Sequence, residues 1–255
     1  MGAGHAHPLH LPGSSPVHRL APQVKVLAAF LMVCCVVATP REVFWAFGGY
    51  LLVLAAVWVV AAIPPGWIAR RALIEAPFLV LAVLLPFAEG GQRVQVAGMS
   101  LSVAGLLAGW NIVIKGTLGV LTSLTLAATT SPRDLLLGLQ RLRVPATITT
   151  IATLMLRYIE VIVGEARRMR IARISRGHDP RLLWQAGATA RGVGALFLRS
   201  YERGERVHLA MLARGWNGQM PALTQRPAGR REWLLGLAPV AVALLLVTGA
   251  WWWGR

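Results

Sequence analysis

Long apolar runs separated by short polar breaks dominate the pattern of positions along the chain, and they predict membrane-spanning helices. The first, 24–39, is short but almost uninterrupted, and Pro40 stops it. The second, 43–63, carries Trp45 near one end and Trp58 inside, and Pro64-Pro65 ends it. After Arg70-Arg71 a third run covers 72–88, with Glu75 near its start and kinks or local unwinding expected at Pro77 and Pro86. A Gly-containing loop is expected over 89–100, then a fourth run over 101–128. The last run, 233–253, ends in Trp251-Trp252-Trp253, an aromatic belt suited to a membrane interface.

Between the fourth and last runs the pattern changes. Ser131-Pro132-Arg133-Asp134 predicts a capped helix start, and the short helix should reach residue 142 before Val144-Pro145 breaks it. A long helix should then run to Arg176. Its stretch 146–163 is apolar enough to suggest a span, but Arg157, Glu160 and a threonine-rich opening favour an amphipathic helix on the membrane surface. A second amphipathic stretch covers 182–214, and 225–231 is a basic linker. Residues 1–22 show no hydrophobic period and are expected to form a flexible tail.

Composition strengthens the membrane reading. The 255 residues are 56% hydrophobic and only 14% charged, where a soluble domain carries about 25%. The net charge of +16 would suit nucleic acid, but 18 of the 26 Lys+Arg fall between Ser131 and Arg231, beside runs that need a basic cytoplasmic flank. Aromatic stacking residues are scarce there, so no nucleic-acid partner is expected. The distribution of cations puts the amino terminus and the 131–231 segment in the cytoplasm and the carboxyl terminus outside, which five spans satisfy.

Few side chains offer chemistry. His5, His7 and His10 could chelate a transition metal, yet a weakly chelating tail explains them as well, and no metal site is expected. Asn111 and Lys115 lie four apart on one face of the fourth run. They could serve a solute path; bonding to neighbouring helices is favoured, because no second ionisable residue nearby completes such a path. Cys34 and Cys35 are adjacent and lack metal-ligand spacing. No phosphate-binding loop and no catalytic motif occurs, so neither ATP binding nor enzymatic activity is expected of this chain.

One pattern occurs twice. Ala172-Arg173-Ile174-Ser175-Arg176-Gly177 and Ala210-Met211-Leu212-Ala213-Arg214-Gly215 both read Ala-x-x-small-Arg-Gly at the end of a helix-favouring run. Each alone suits an ordinary helix end, with Gly in the left-handed position and a cation against the dipole. Offered twice, an arginine between small neighbours suits docking into partner pockets.

The pair resembles the two arginine motifs of the transmembrane T component of energy-coupling factor transporters, cobalt/nickel branch (the CbiQ family). The surroundings are similar too: Arg157-Tyr158-Ile159-Glu160 and Glu165-Ala166-Arg167-Arg168-Met169 before the first motif, and Glu202-Arg203-Gly204-Glu205-Arg206-Val207 before the second. His18-Arg19-Leu20 resembles the family's entry to the first span; Pro77-Phe78 and Pro86-Phe87 resemble its third. Ser175 stands where that family more often has Ala.

The resemblance implies an all-α integral membrane protein of the cell membrane, with about five transmembrane helices plus a cytoplasmic domain of amphipathic coupling helices. Its expected divisions are 1–22, 23–130, 131–231 and 232–255. It implies partners as well: two ATP-binding subunits, which would use the ATP and magnesium, and a membrane substrate-capture subunit for cobalt or nickel. Ser175, Arg176, Gly177, Ala213, Arg214 and Gly215 would dock the ATPases. The alternatives are a solute-conducting permease subunit of another ABC-type transporter and a membrane enzyme acting on lipid-linked substrates.

Overall fold

A computed structural model describes residues 9–88, 93–96, 99–177, 187–218 and 228–253. The helices are α1 (Pro16–Arg19), α2 (Pro22–Ala38), α3 (Phe44–Ala61), α4 (Pro65–Ala72), α5 (Ala76–Ala88), α6 (Val103–Thr129), α7 (Pro132–Arg141), α8 (Ala146–Ser175), α9 (Gly187–Ala213) and α10 (Arg230–Trp253). The chain divides into two compact units, residues 1–138 with 226–255, and residues 139–225. Among the described residues four helices are long and apolar enough to cross a membrane: α3, α6, α8 and α10. The protein is a multi-pass, helical membrane protein.

Three expectations change. The loop over 89–100 contains an antiparallel hairpin, β1 (Arg93–Val96) paired with β2 (Met99–Ser102), with Arg93 opposite Ser102. The third run resolves into a 3₁₀ turn at Leu73–Glu75 followed by α5, so its unwound part precedes Pro77, and Pro86 lies inside the helix. At 13 residues α5 is about 20 Å long, short of the roughly 30 Å hydrocarbon layer. The third correction concerns the tail, whose part 9–22 is ordered by polar contacts with the bundle. Leu11 N–H bonds the Ala128 carbonyl (3.0 Å), and Ser15 caps α1 through His18 N–H. His5 and His7 lie outside the described residues.

The first unit is built by satisfying the ends of short helices from their neighbours. A helix leaves its last four carbonyls without intrahelical partners, and inside lipid no water replaces them. All four at the end of α2 are answered. Thr39 Oγ1 donates to the Cys35 carbonyl (2.8 Å) and accepts from Tyr50 Oη of α3 (2.9 Å); Thr39 N–H reaches Val36 (3.4 Å). Lys115 Nζ of α6 donates to Val37 (2.8 Å), and Trp251 Nε1 of α10 donates to Ala38 (3.0 Å). Lys25 Nζ, at the start of α2, donates in turn to the Thr129 carbonyl at the end of α6 (2.7 Å).

Small residues let backbones approach. A Cβ on Gly109 would lie 2.7 Å from the Ala82 carbonyl oxygen, and one on Gly105 2.7 Å from Pro86 Cα, so α5 and α6 touch main chain to main chain. Tyr50, Phe47, Val36 and Leu118 are almost wholly buried among α2, α3 and α6, and Trp58 Nε1 donates to Thr125 Oγ1 (2.8 Å).

Candidate functional site

The second unit is an antiparallel pair, α8 against α9. Its direction follows from three bonds: Arg173 Nη1 to Thr189 Oγ1 (2.9 Å), Arg199 Nη1 to Glu165 Oε1 (2.6 Å) and Thr150 Oγ1 to the Gly218 carbonyl (3.4 Å). As the position on α8 falls, the partner's number rises. Glu165 also accepts from Arg168 (2.6 Å). The guanidiniums of Arg168 and then Arg199 hold its carboxyl below the usual carboxylate range.

Both repeated motifs form helix tips of one geometry. At the end of α8, Arg176 N–H bonds the Arg173 carbonyl (3.1 Å), and Gly177 N–H bonds Ile174 (2.9 Å). At the end of α9, Arg214 N–H bonds Met211 (3.1 Å) and Gly215 N–H bonds Leu212 (2.9 Å). Trp216 N–H returns to Met211 (3.0 Å), completing a Schellman closure. Gly177 has φ 78° and Gly215 φ 77°, the left-handed region where a side chain is strained.

The tips are open surfaces. Ser175, Arg176, Gly177, Ala213, Arg214 and Gly215 are all exposed, and a Cβ built on either glycine would meet nothing within 4 Å. Ser175 Oγ donates back to the Ile171 carbonyl (3.0 Å), so its hydroxyl is occupied and only a small side chain is presented. Neither Arg176 nor Arg214 has an acidic partner among the described residues.

Because α8 and α9 are antiparallel, the tips stand at opposite ends of the pair. Arg176 closes α8, while Arg214 lies by the start of α8, where Thr150 meets Gly218. At 1.5 Å per residue, 26 helical residues separate the ends by roughly 40 Å. The motifs alone could not give this spacing, which depends on how the helices pair.

The other sequence candidates sit in the first unit. Lys115 bonds α2 as described, and Asn111 Oδ1 is buried without a partner among the described residues. His10 is half-buried, and no cluster of His, Cys, Asp or Glu that could hold a metal occurs among the described residues. One organised group was missed in the sequence. His18 Nε2–H donates to the Leu11 carbonyl (3.1 Å), so Nδ1 accepts from the Ser15 hydroxyl (2.6 Å). Burial, helped by the charge of Lys25, lowers the imidazole pKa below its usual 6.5. Ser15 three residues before His18 was the available signal.

Residues 13–224 match the family CbiQ, cobalt transport protein. The chain is 32% identical over 198 residues to the cobalt transport protein CbiQ of Rhodobacter capsulatus, covering 77% of this chain and 79% of that one. It is 28% identical over 229 residues to the energy-coupling factor transporter transmembrane protein EcfT of Bacillus selenitireducens, covering 82% of each. With EcfT of Acidaminococcus fermentans it shares 26% over 258 residues, 95% of each. Sequence and architecture agree: the chain belongs to the CbiQ family of cobalt transport proteins, transmembrane components of energy-coupling factor transporters.

Proposed function

We propose that this chain transmits the work of ATP hydrolysis in a metal importer, with Arg176 and Arg214 each docked in one of two soluble ATP-hydrolysing subunits. A membrane partner would capture the metal, cobalt or nickel. The observation that carries this reading is the duplicate tip: the same backbone closure, the same exposed arginine and the same φ at both ends of one helical pair. Two equal plugs roughly 40 Å apart suit two equal sockets better than one extended interface. Closing and opening of the ATPases around bound ATP and magnesium would then rock the α8–α9 pair.

Cobalt rests on the name of the Rhodobacter relative, nickel on the resemblance to the cobalt/nickel branch, and the energy coupling on the names of the EcfT relatives. The same reading assigns 131–231 to the cytoplasm, with the amino terminus inside and the carboxyl terminus outside. In it α8, although long enough to cross, lies along the membrane, since Arg157 and Glu160 fall within its apolar half and both arginine tips must reach soluble subunits. A solute-conducting permease is less well supported, because Lys115 spends its ammonium on the Val37 carbonyl.

The test is co-purification of the tagged chain with its ATPases. Arg176→Glu and Arg214→Glu should each weaken the complex, and the double change should abolish it while the protein still inserts. Truncating a buried, paired charge costs about 2–5 kcal/mol, and Glu adds repulsion. Lys should rescue in part, lacking the planar fork. Arg206→Glu, an exposed charge away from both tips, is the control; if it released the ATPases equally, docking would be diffuse electrostatics.

A further inference from the structure

The α8–α9 seam holds two cavities in succession. The first, about 440 Å³, is walled mainly by Ile151, Leu154, Met155, Ile162, Val207 and Met211. The second, about 560 Å³, is walled by Arg168, Arg173, Arg176, Arg191 and Arg199 with Glu165. They adjoin: Ile162 of the first is one helical turn from Glu165 of the second, and Ser200 of the first follows Arg199 of the second.

The second cavity is chemically incomplete. Among the described residues its five guanidiniums face one carboxylate, and Arg168 and Arg199 already share it. Arg191 Nε donates to the Gly187 carbonyl (3.4 Å), and Arg173 spends Nη1 on Thr189. Arg173 Nε is sealed from solvent with no acceptor among the described residues. A buried charged donor left unmade, among like charges, calls for an anion.

We propose that this seam binds an anionic phospholipid, its phosphate between Arg173 and Arg191 and an acyl chain in the neighbouring apolar cavity. Phosphate oxygens accept the paired N–H groups of several guanidiniums at once. A free anion would leave the apolar cavity unused, and a neutral amphiphile would leave the arginines unanswered. An amphiphile with a charged head answers both, and the bilayer supplies it to a membrane protein without a diffusional search. The apolar volume lies within the roughly 300–1,000 Å³ of small-molecule sites. The inference does not depend on ATPase docking, which uses the outward tips.

The full chain, purified in detergent and stripped of lipid, is mixed with phosphatidylglycerol or phosphatidylcholine of identical chains, and retained lipid is counted by native mass spectrometry. Phosphatidylglycerol should be retained and phosphatidylcholine lost. The double variant Arg173→Gln with Arg191→Gln should weaken retention about 20-fold, as removal of two cations near a lipid charge predicts. Arg173→Lys with Arg191→Lys should keep most of it, which separates charge from fold. Leu154→Trp with Met155→Trp, filling the apolar cavity, should lower retention with helicity unchanged by circular dichroism. Equal retention of the two lipids, or unchanged retention in both the Gln and Trp chains, would overturn the proposal. So would inorganic phosphate displacing the lipid at matched concentration, since the headgroup alone would then account for binding. Loss of ATPase co-purification in the Gln chain with lipid still retained would make the cleft a protein-docking surface instead.

Discussion

Lys25 and Lys115, the chain's only lysines, cap each other's helices. Lys25 at the start of α2 donates to the Thr129 carbonyl at the end of α6, and Lys115 of α6 donates to Val37 at the end of α2. Each cation sits against the negative end of a helix dipole and answers a carbonyl that lipid cannot solvate. A hydrogen bond to a charged group contributes about 1.5–3 kcal/mol. Lys115→Met should therefore lower the thermal stability of detergent-solubilised protein by that order, with a smaller loss for Lys115→Arg. Abolished metal uptake at unchanged stability would instead place Lys115 on a solute path.

The two tip glycines give a backbone test. With nothing within 4 Å of either position, substitution meets no steric obstacle, and only the positive φ resists it. Gly177→Val and Gly215→Val should each cost about 1–2 kcal/mol, and Asn, which tolerates the left-handed region, less. Amide exchange in the last turns of α8 and α9 reports this directly. Equal protection in the Val, Asn and parent chains would contradict the left-handed closure.

His18 should make the amino-terminal clamp pH-sensitive. Its folded pKa lies below the usual 6.5, so the clamp requires the neutral ring. Above that usual value the ring is neutral in both folded and unfolded states, and the contribution is complete. As pH falls through it the unfolded chain takes up the proton first, and stability drops. Melting temperatures measured from pH 7.5 to 5.0 should fall more steeply for the parent chain than for His18→Gln. Parallel slopes would remove His18 from the account.

Orientation can be read with single cysteines in a chain carrying Cys34→Ala and Cys35→Ala. Glu42→Cys should react with an impermeant thiol reagent from outside the cell; Gly66→Cys and Gly204→Cys, both at exposed positions, should not. Labelling at Gly204 as well as Glu42 would contradict the cytoplasmic placement of the α8–α9 pair. Labelling at Gly66 without Glu42 would reverse the whole topology.

Much of the architecture is written locally. Apolar runs ended by Pro40, Pro64-Pro65 and Pro145 place most helices, because helix stops depend on a few adjacent residues. Ser131 sits where it was expected as a cap, accepting from Asp134 N–H (3.2 Å), and Gly177 and Gly215 close α8 and α9 for the same local reason. The strand pair at 93–102 was missed because eight residues flanked by glycines carry too short a pattern to register. Folding alone joined what is distant in the chain. The acceptors of Lys115 and Lys25 lie 78 and 104 residues away, so neither lysine's role can be read from its neighbours. Likewise the arginines of α8 and α9 look like solvated charge until the antiparallel pairing gathers five of them around one carboxylate. Helix ends obey short-range rules, whereas a charge acquires its meaning from whatever the chain packs against it.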